Sequence, residues 1–300
     1  MPVIGFLNTG SLGPAARSVE AYRAGLRENG YVDGFNVTIE YRWAEGHYEK
    51  LPALAADLVS RKVVLISTLG GEGSVLAARA ATQTIPIVFN MSVDPVKLGL
   101  IENFNRPGGN VTGVMSLTST LEGKRFGLLR EILPKADTIA IMVNPMRLIA
   151  DAQVSEVQEA ASSTGVRIVR INASSAEEID GAFAKMVEQH AGGLLVAADP
   201  YFFTQHQRLV ALAARYKMPA IYEWRDYPLA GGLMSYGTVL ADAYRQNGVY
   251  AGRILKGERP GDLPVVQSSK FEFVLNLKAA KALGLELPLQ YVARADEVIE

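Results

Sequence analysis

The sequence predicts an α/β protein of two lobes, each a mostly parallel sheet wrapped by helices, and three observations carry that prediction. Strand-length apolar runs alternate with stretches of helical period along the whole chain, the pattern of sheets covered by helices. Most of the runs are apolar almost without interruption, as expected of strands covered on both faces. The length, 300 residues, is about two domains at roughly 150 residues each.

The first strand runs from Val3 to Asn8 and gives way to Thr9, Gly10 and Ser11. A helix from Pro14 to Asn29 closes at Gly30, where glycine can take the left-handed cap conformation. Strands follow at Val37 to Tyr41, Val63 to Ser67 and Ile85 to Asn90, with a helix beginning at about Glu72. The run Arg106-Pro107-Gly108-Gly109-Asn110 then interrupts the alternation, and a strand resumes from Val111 to Leu117. A second series supplies strands at Thr138 to Asn144, Val166 to Ile171, Gly193 to Ala198 and Ala220 to Trp224. Its helices span Leu148 to Thr164, the segment from an N-cap at Ser174 or Ser175 to His190, and Thr204 to Lys217, which stops before Pro219. After Gly231-Gly232 come a strand from Leu233 to Tyr236, a long helix from Val239 to Leu255, an extended piece from Pro264 to Asn276 and a short helix ending near Gly284. If the long helix joins the first lobe and the last helix the second, the lobes comprise 1–115 plus about 237–265, and 116–236 plus about 266–300. The chain then crosses between them three times.

Composition narrows the function. Hydrophobic residues make up 49% and charged residues 20%, far from the signature of disorder. Thirty Lys+Arg against 31 Asp+Glu, with no block of like charge, lacks the footprint of a nucleic-acid binder. The absence of cysteine removes disulfides, thiolate nucleophiles and Cys-bearing metal sites. No apolar run approaches the roughly 20 residues that span a bilayer. Gly71-Glu72-Gly73 after a strand is only a degraded dinucleotide fingerprint, and the P-loop, nucleophile-elbow and zinc-protease motifs are missing. The three histidines, His47, His190 and His206, fall in a charged loop and at helix ends, which suits surface roles better than catalysis.

What remains is a set of polar residues at the carboxyl ends of the expected strands, where open α/β sheets bind ligands. In the first half these are Asn8, Thr9 and Ser11, then Ser67 and Thr68 with Gly70 and Gly71, then Asp94. Hydroxyls and free N–H groups ahead of the helix at Glu72 suit a carboxylate. In the second half they are Asn144, Asp199 and Glu223, with Tyr201 and Trp224 beside them. Asp199, with no cation near it in sequence, is expected to pair with a ligand amine while the rings hold a planar group. Each residue has a plainer alternative as a helix cap or turn former.

Together with Ala56-Asp57-Leu58-Val59, Ile85-Pro86-Ile87-Val88-Phe89, Asp94-Pro95-Val96, Arg106-Pro107-Gly108-Gly109-Asn110, Asn144-Pro145, Gly231-Gly232-Leu233-Met234-Ser235-Tyr236-Gly237 and Ile254-Leu255-Lys256-Gly257, these segments resemble the extracytoplasmic substrate-binding proteins of ABC transporters. The similarity is to the family of the tryptophan- and tyrosine-type binding components, over essentially the whole chain. It implies a periplasmic binding protein type 1-like fold, a three-segment hinge, a small amphoteric ligand (an aromatic amino acid or a relative) enclosed by lobe closure, and delivery to a membrane permease. It also implies no catalysis, no cofactor, a monomeric receptor and a periplasmic or lipid-anchored location, with a signal segment ahead of Met1. Two alternatives stand beside it: a nucleotide-dependent α/β enzyme, and the effector-sensing core of a transcription regulator.

Overall fold

The computed structural model describes residues 1–116 and 120–300. The chain forms two compact units, one of Met1–Leu117 with Val239–Ser269 and the other of Thr118–Thr238 with Lys270–Glu300. Passages near 117, 238 and 269 link them.

The first unit is built on strands β1 (Val3–Asn8), β2 (Thr38–Trp43), β3 (Leu65–Leu69), β4 (Ile87–Met91) and β5 (Val111–Met115), with helices α1 (Leu12–Arg27), α2 (Leu51–Ser60) and α3 (Glu72–Ala81) between the first four. The second contains α4 (Glu122–Ile132), β6 (Thr138–Val143), α5 (Ala150–Ala161), β7 (Arg167–Asn172), α6 (Ala176–Glu188), β8 (Gly193–Val196), α7 (Pro200–Thr204), α8 (His206–Arg215), β9 (Ala220–Tyr222), α9 (Asp226–Leu229) and β10 (Met234–Thr238). Helix α10 (Leu240–Leu255) and β11 (Val266–Gln267) return to the first unit, while β12 (Phe271–Asn276), α11 (Leu277–Ala282), α12 (Leu289–Val292) and β13 (Glu297–Ile299) complete the second.

The first sheet has the order β11-β5-β4-β3-β1-β2 with every pairing parallel. The second has the order β13-β12-β10-β9-β8-β6-β7, parallel except where β12 runs against β10. In both, the chain starts at an inner strand, goes outward one way and then the other, so β1 and β6 each sit at a switch of direction. Residues on alternate positions of β3 face opposite helical layers. Ile66 joins Leu7, Leu58 and Phe89 on the α2–α3 side, and Leu65 joins Phe6, Tyr22 and Ala251 on the α1–α10 side.

Helix α1 buries Ala15, Ser18, Val19, Tyr22, Gly25 and Leu26, a stripe at helical spacing, and packs on α10. The contact needs glycine. A Cβ at Gly25 would collide with the carbonyl oxygen of Arg245, and one at Gly248 with that of Tyr22. This backbone-to-backbone approach ties α10 to the first unit, although more than 200 residues separate the helices.

Several expected boundaries move for identifiable reasons. Strand β3 begins two residues later than expected, because its ladder is set by pairing with β1 and β4, while Val64 is 45% exposed. The expected helix Thr204 to Lys217 is α8, shorter at both ends, and a separate α7 precedes it, started by Asp199 and Pro200 and ended where Gln205 leaves the helical path. The extended piece from Pro264 divides at polar Ser268-Ser269-Lys270 into β11, which pairs with β5, and β12, which pairs with β10. Strand β5 ends at Met115, and Leu117, the expected end, lies outside the described residues. The short β13, held against β12, has no apolar run that would announce it.

Candidate functional site

In the first unit the carboxyl ends of β1 and β3 meet at the switch of direction. Asn8 ends β1 and is 2% exposed, with its Oδ1 accepting from the Gly10 N–H at 2.7 Å and its Nδ2 donating to the Tyr244 hydroxyl at 3.0 Å. The Thr9 N–H donates to the Leu69 carbonyl at 3.3 Å. Gly70 lies directly across, at φ +84°, and a Cβ there would come within 2.8 Å of Asn8 Oδ1 and 2.9 Å of Thr9 N. Only glycine satisfies both the left-handed backbone and the close approach.

Gly71 then caps α3 without a side chain, so the N–H groups of the first turn have no capping partner from that residue. The hydroxyls of Thr9 and Thr68 are buried here and make no hydrogen bond. A buried hydroxyl without a partner costs about 1–3 kcal/mol. Two of them beside an uncapped helix start form a place prepared for an acceptor group supplied from outside. Glu72 in that first turn is 3% exposed and has interactions of its own.

Other residues expected in this unit serve the fold. The Ser67 hydroxyl points the opposite way from Thr68 and shares a 2.7 Å hydrogen bond with Tyr22, whose phenol burial holds far above its ordinary range. The expectation that Ser67 ends its strand at the crevice is corrected: it lies in the middle of β3, facing α1. Asp94 Oδ1 accepts from the N–H groups of Val96, at 2.8 Å, and Lys97, at 3.3 Å, and so forms the turn after β4. Ser11 occupies the N-cap position of α1 with extended backbone, but its side chain makes no cap bond.

The second unit repeats the plan. Asn144 follows β6 as Asn8 ends β1, and its Oδ1 accepts from the N–H two residues on, that of Met146, at 3.0 Å. Its Nδ2 donates to Asp199 Oδ1 at 3.2 Å. That same oxygen caps α7, accepting from the N–H groups of Tyr201 at 2.9 Å and Phe202 at 3.1 Å. The plainer alternative for Asp199 is therefore realised, on a helix that starts at Pro200. No cation lies near Asp199 in sequence, but the fold brings Arg147 to the carbonyl of the adjacent Ala198.

Glu223 is different. It follows β9 directly, is fully buried, and neither carboxylate oxygen has a hydrogen-bond partner. Burial pushes it up to about 8, opposed by Arg125 and reinforced by Glu122 and Asp199. Around it Tyr222 stacks on Tyr227, with centroids 4.4 Å apart, and Trp224 meets Phe203 edge-on at 4.8 Å. Burial holds both tyrosine phenols above their ordinary range, and the charge of Glu223 raises them further. Tyr222 and Trp224 thus join one aromatic group. Tyr201 packs on Phe202 at 6.1 Å.

The sequence reading missed two features. One is Tyr244 of α10, brought to Asn8 by the packing of α10 on α1. The other is a buried polar network under the end of β8. Glu122 bonds Arg125 through Oε2, while its Oε1 accepts from Gln153 at 2.9 Å and from the Ala198 N–H at 3.1 Å. The Arg125 guanidinium also donates to the Tyr236 carbonyl at 2.9 Å. The Glu-Arg spacing of three on α4 was the available signal. Among the described residues no group of three or more His, Asp or Glu side chains is placed to hold a metal ion, and no helix is long and apolar enough to cross a membrane.

Two doubly wound α/β units on a chain that passes between them three times, each with a polar switch point, make this a protein of the periplasmic-binding-protein class. Residues 6–299 match the family described as ABC transporter substrate binding protein, and the chain belongs to it. A tyrosine-binding protein of Clostridioides difficile (strain R20291) is 28% identical over 264 residues, 87% of this chain and 74% of that protein. A domain from Streptococcus pneumonia, solved in complex with L-Trp, is 25% identical with a TM-score of 0.88 over 99% of both chains. A ligand-free, open substrate-binding protein with adhesive properties from Clostridium difficile is 26% identical, with a TM-score of 0.67 over 100% of this chain and 99% of that one.

Proposed function

We propose that this protein is the extracytoplasmic receptor of an ABC importer and that its solute is a free aromatic amino acid, tyrosine or tryptophan, on which the two units close before delivery to a permease. The observation that carries the reading is the pair of orphaned hydroxyls, Thr9 and Thr68, beside the uncapped start of α3. An α-carboxylate placed there accepts from both hydroxyls and from first-turn N–H groups, and the positive end of the helix contributes a further 0.3–1 kcal/mol or so. The solute-bearing names of two relatives point the same way. A receptor rather than a catalyst fits the histidines: His47 pairs with Glu49 on an exposed loop, His190 follows the end of α6, and His206 bonds the Phe203 carbonyl. The protein acts on this reading as a monomer outside the cytoplasmic membrane.

Calorimetry with tyrosine, tryptophan, their methyl esters and their decarboxylated amines tests the assignment. The free amino acids should bind, and the esters and amines should bind at least about tenfold more weakly. Thr68→Val should weaken binding about three- to tenfold while leaving the melting temperature unchanged or slightly higher, since it removes an unpaired hydroxyl without changing shape. Equal affinity for acid and ester removes the carboxylate from this corner, and silence with every amino acid defeats the reading as a whole.

A further inference from the structure

We propose that the loop after β2, at Glu45 and Gly46, is a positioning device that aims the Thr9 hydroxyl at the solute's carboxylate, an inference that rests on the amino-acid reading above. Among the described residues, four other than glycine have a left-handed backbone: Glu45, Lys62, His190 and Lys217. Three of them have an ordinary reason. Lys62, His190 and Lys217 each follow the C-cap of a helix, α2, α6 and α8 in turn, where a left-handed residue turns the chain away. Glu45 ends no helix. It stands two residues past β2 at φ +55°, and Gly46 follows at φ +82°. A left-handed backbone is strained in any residue that carries a Cβ, and the Glu45 side chain is exposed, so the conformation serves the backbone.

Two consecutive left-handed residues turn successive N–H groups onto the loop between β1 and α1. The Glu45 N–H donates to the Gly10 carbonyl at 3.0 Å, and the Gly46 N–H to the Thr9 carbonyl at 2.7 Å. Just before them the Ala44 N–H continues the ladder by donating to the Asn8 carbonyl at 2.9 Å. From the other side the Thr9 N–H is taken by the Leu69 carbonyl. Thr9 is thus held at both of its own backbone groups, while its hydroxyl, fully buried, has no partner. A side chain fixed at its base and unpaired at its tip is completed by a group from outside.

The second unit shows that the fold does not require this clamp. There the Ala173 N–H donates to the Val143 carbonyl at 3.1 Å, as Ala44 does to Asn8. The chain then turns straight into α6: Ser175 caps that helix, and the Ser174 N–H goes to Glu178 at 2.7 Å. Among the described residues no N–H from that loop reaches the carbonyl of Asn144 or Pro145, the next two after Val143. Two sheets wound alike differ at this point, and the one that keeps a strained clamp is the one whose clamped loop carries an orphaned hydroxyl.

The test separates backbone from side chain. Glu45→Asn and Glu45→Val both remove the carboxylate, but asparagine tolerates a left-handed backbone and β-branched valine does not. Calorimetry of the full chain with L-tyrosine, L-tryptophan and their methyl esters should find Glu45→Asn within about twofold of the wild type for every compound. Glu45→Val should bind the free acids roughly three- to tenfold more weakly and the esters as the wild type does, so that the preference for acid over ester shrinks. In a Thr9→Val background, where no hydroxyl is left to aim, Glu45→Val should change nothing further. A loss shared by acid and ester, losses that multiply in the double variant, a Glu45→Asn protein as impaired as Glu45→Val, or a Glu45→Val protein that binds like the wild type overturns this inference and leaves the amino-acid reading standing. Wild-type silence with both amino acids overturns that reading, and equal wild-type affinity for acid and ester removes the carboxylate from the corner; either result takes this inference with it. If Glu45→Val melts below the assay temperature, amide hydrogen exchange in the wild type decides: saturating L-tyrosine or L-tryptophan should slow the Glu45 and Gly46 amides roughly tenfold, and unchanged rates overturn the inference.

Discussion

Asp199 and Glu223 are equally acidic in the sequence, and both follow short apolar strands, yet only their neighbours in space assign them work. Asp199 precedes Pro200, and a proline in the first turn needs a cap whose oxygen reaches the next two N–H groups, which Asp199 Oδ1 does. Asparagine can accept the same bonds. We therefore expect Asp199→Asn to melt within a degree or two of the wild type and to bind within about threefold, whereas Asp199→Ala should lose about 1 kcal/mol of stability. Differential scanning calorimetry alongside ligand titration checks both. A ten- to hundredfold loss of affinity in Asp199→Asn at an unchanged melting temperature would return the charge role to Asp199.

Among the elements, α4 holds the second unit's edge in place by placing an ion pair where water cannot reach. Glu122 and Arg125 are both fully buried, and between them they bond Ala198 at the end of β8 and Tyr236 in β10. A buried pair of this kind adds little net stability over an apolar replacement, but removing one partner strands the other charge at a cost of about 3–5 kcal/mol. Arg125→Met should accordingly lower the melting temperature by roughly 10 °C. Adding Glu122→Gln should recover most of that loss, because the amide oxygen still accepts from the Ala198 N–H. Thermal unfolding of the single and double variants measures the difference. If the single variant melts like the wild type, the pair is not what fixes these strands.

For the molecule as a whole, two units built on the same plan suit a receptor whose loaded and empty forms a permease can tell apart. If the two units close on a solute as proposed, small-angle scattering should give a smaller radius of gyration with saturating tyrosine or tryptophan than without. An unchanged radius with calorimetrically confirmed binding would show that the units do not move on the ligand. The repeated plan is visible in detail: Asn8 and Asn144 each leave the first strand of their sheet and each hold the N–H two residues on.

The sequence by itself determined the α/β class, the strands β1 and β6, the amphipathic α1 and α10 and the stretch of polar strand ends, because each is written in local periodicity or composition. The family resemblance was legible too, since it rests on segments such as Gly231-Gly232-Leu233-Met234-Ser235-Tyr236-Gly237 read in order. Only the tertiary structure decided that Ser67 serves the core while Thr68 faces the other layer, because which face of β3 meets α1 is set by its pairing with β1 and β4 and by the helices laid on each side. It alone split Pro264 to Asn276 between two sheets, brought Tyr244 to Asn8 and Arg147 to Ala198, and left Glu223 unpaired while Asp199 became a cap. Those outcomes turn on contacts between residues tens to hundreds of positions apart, and a buried charge is satisfied or stranded by whatever the fold places against it, which no window of sequence contains.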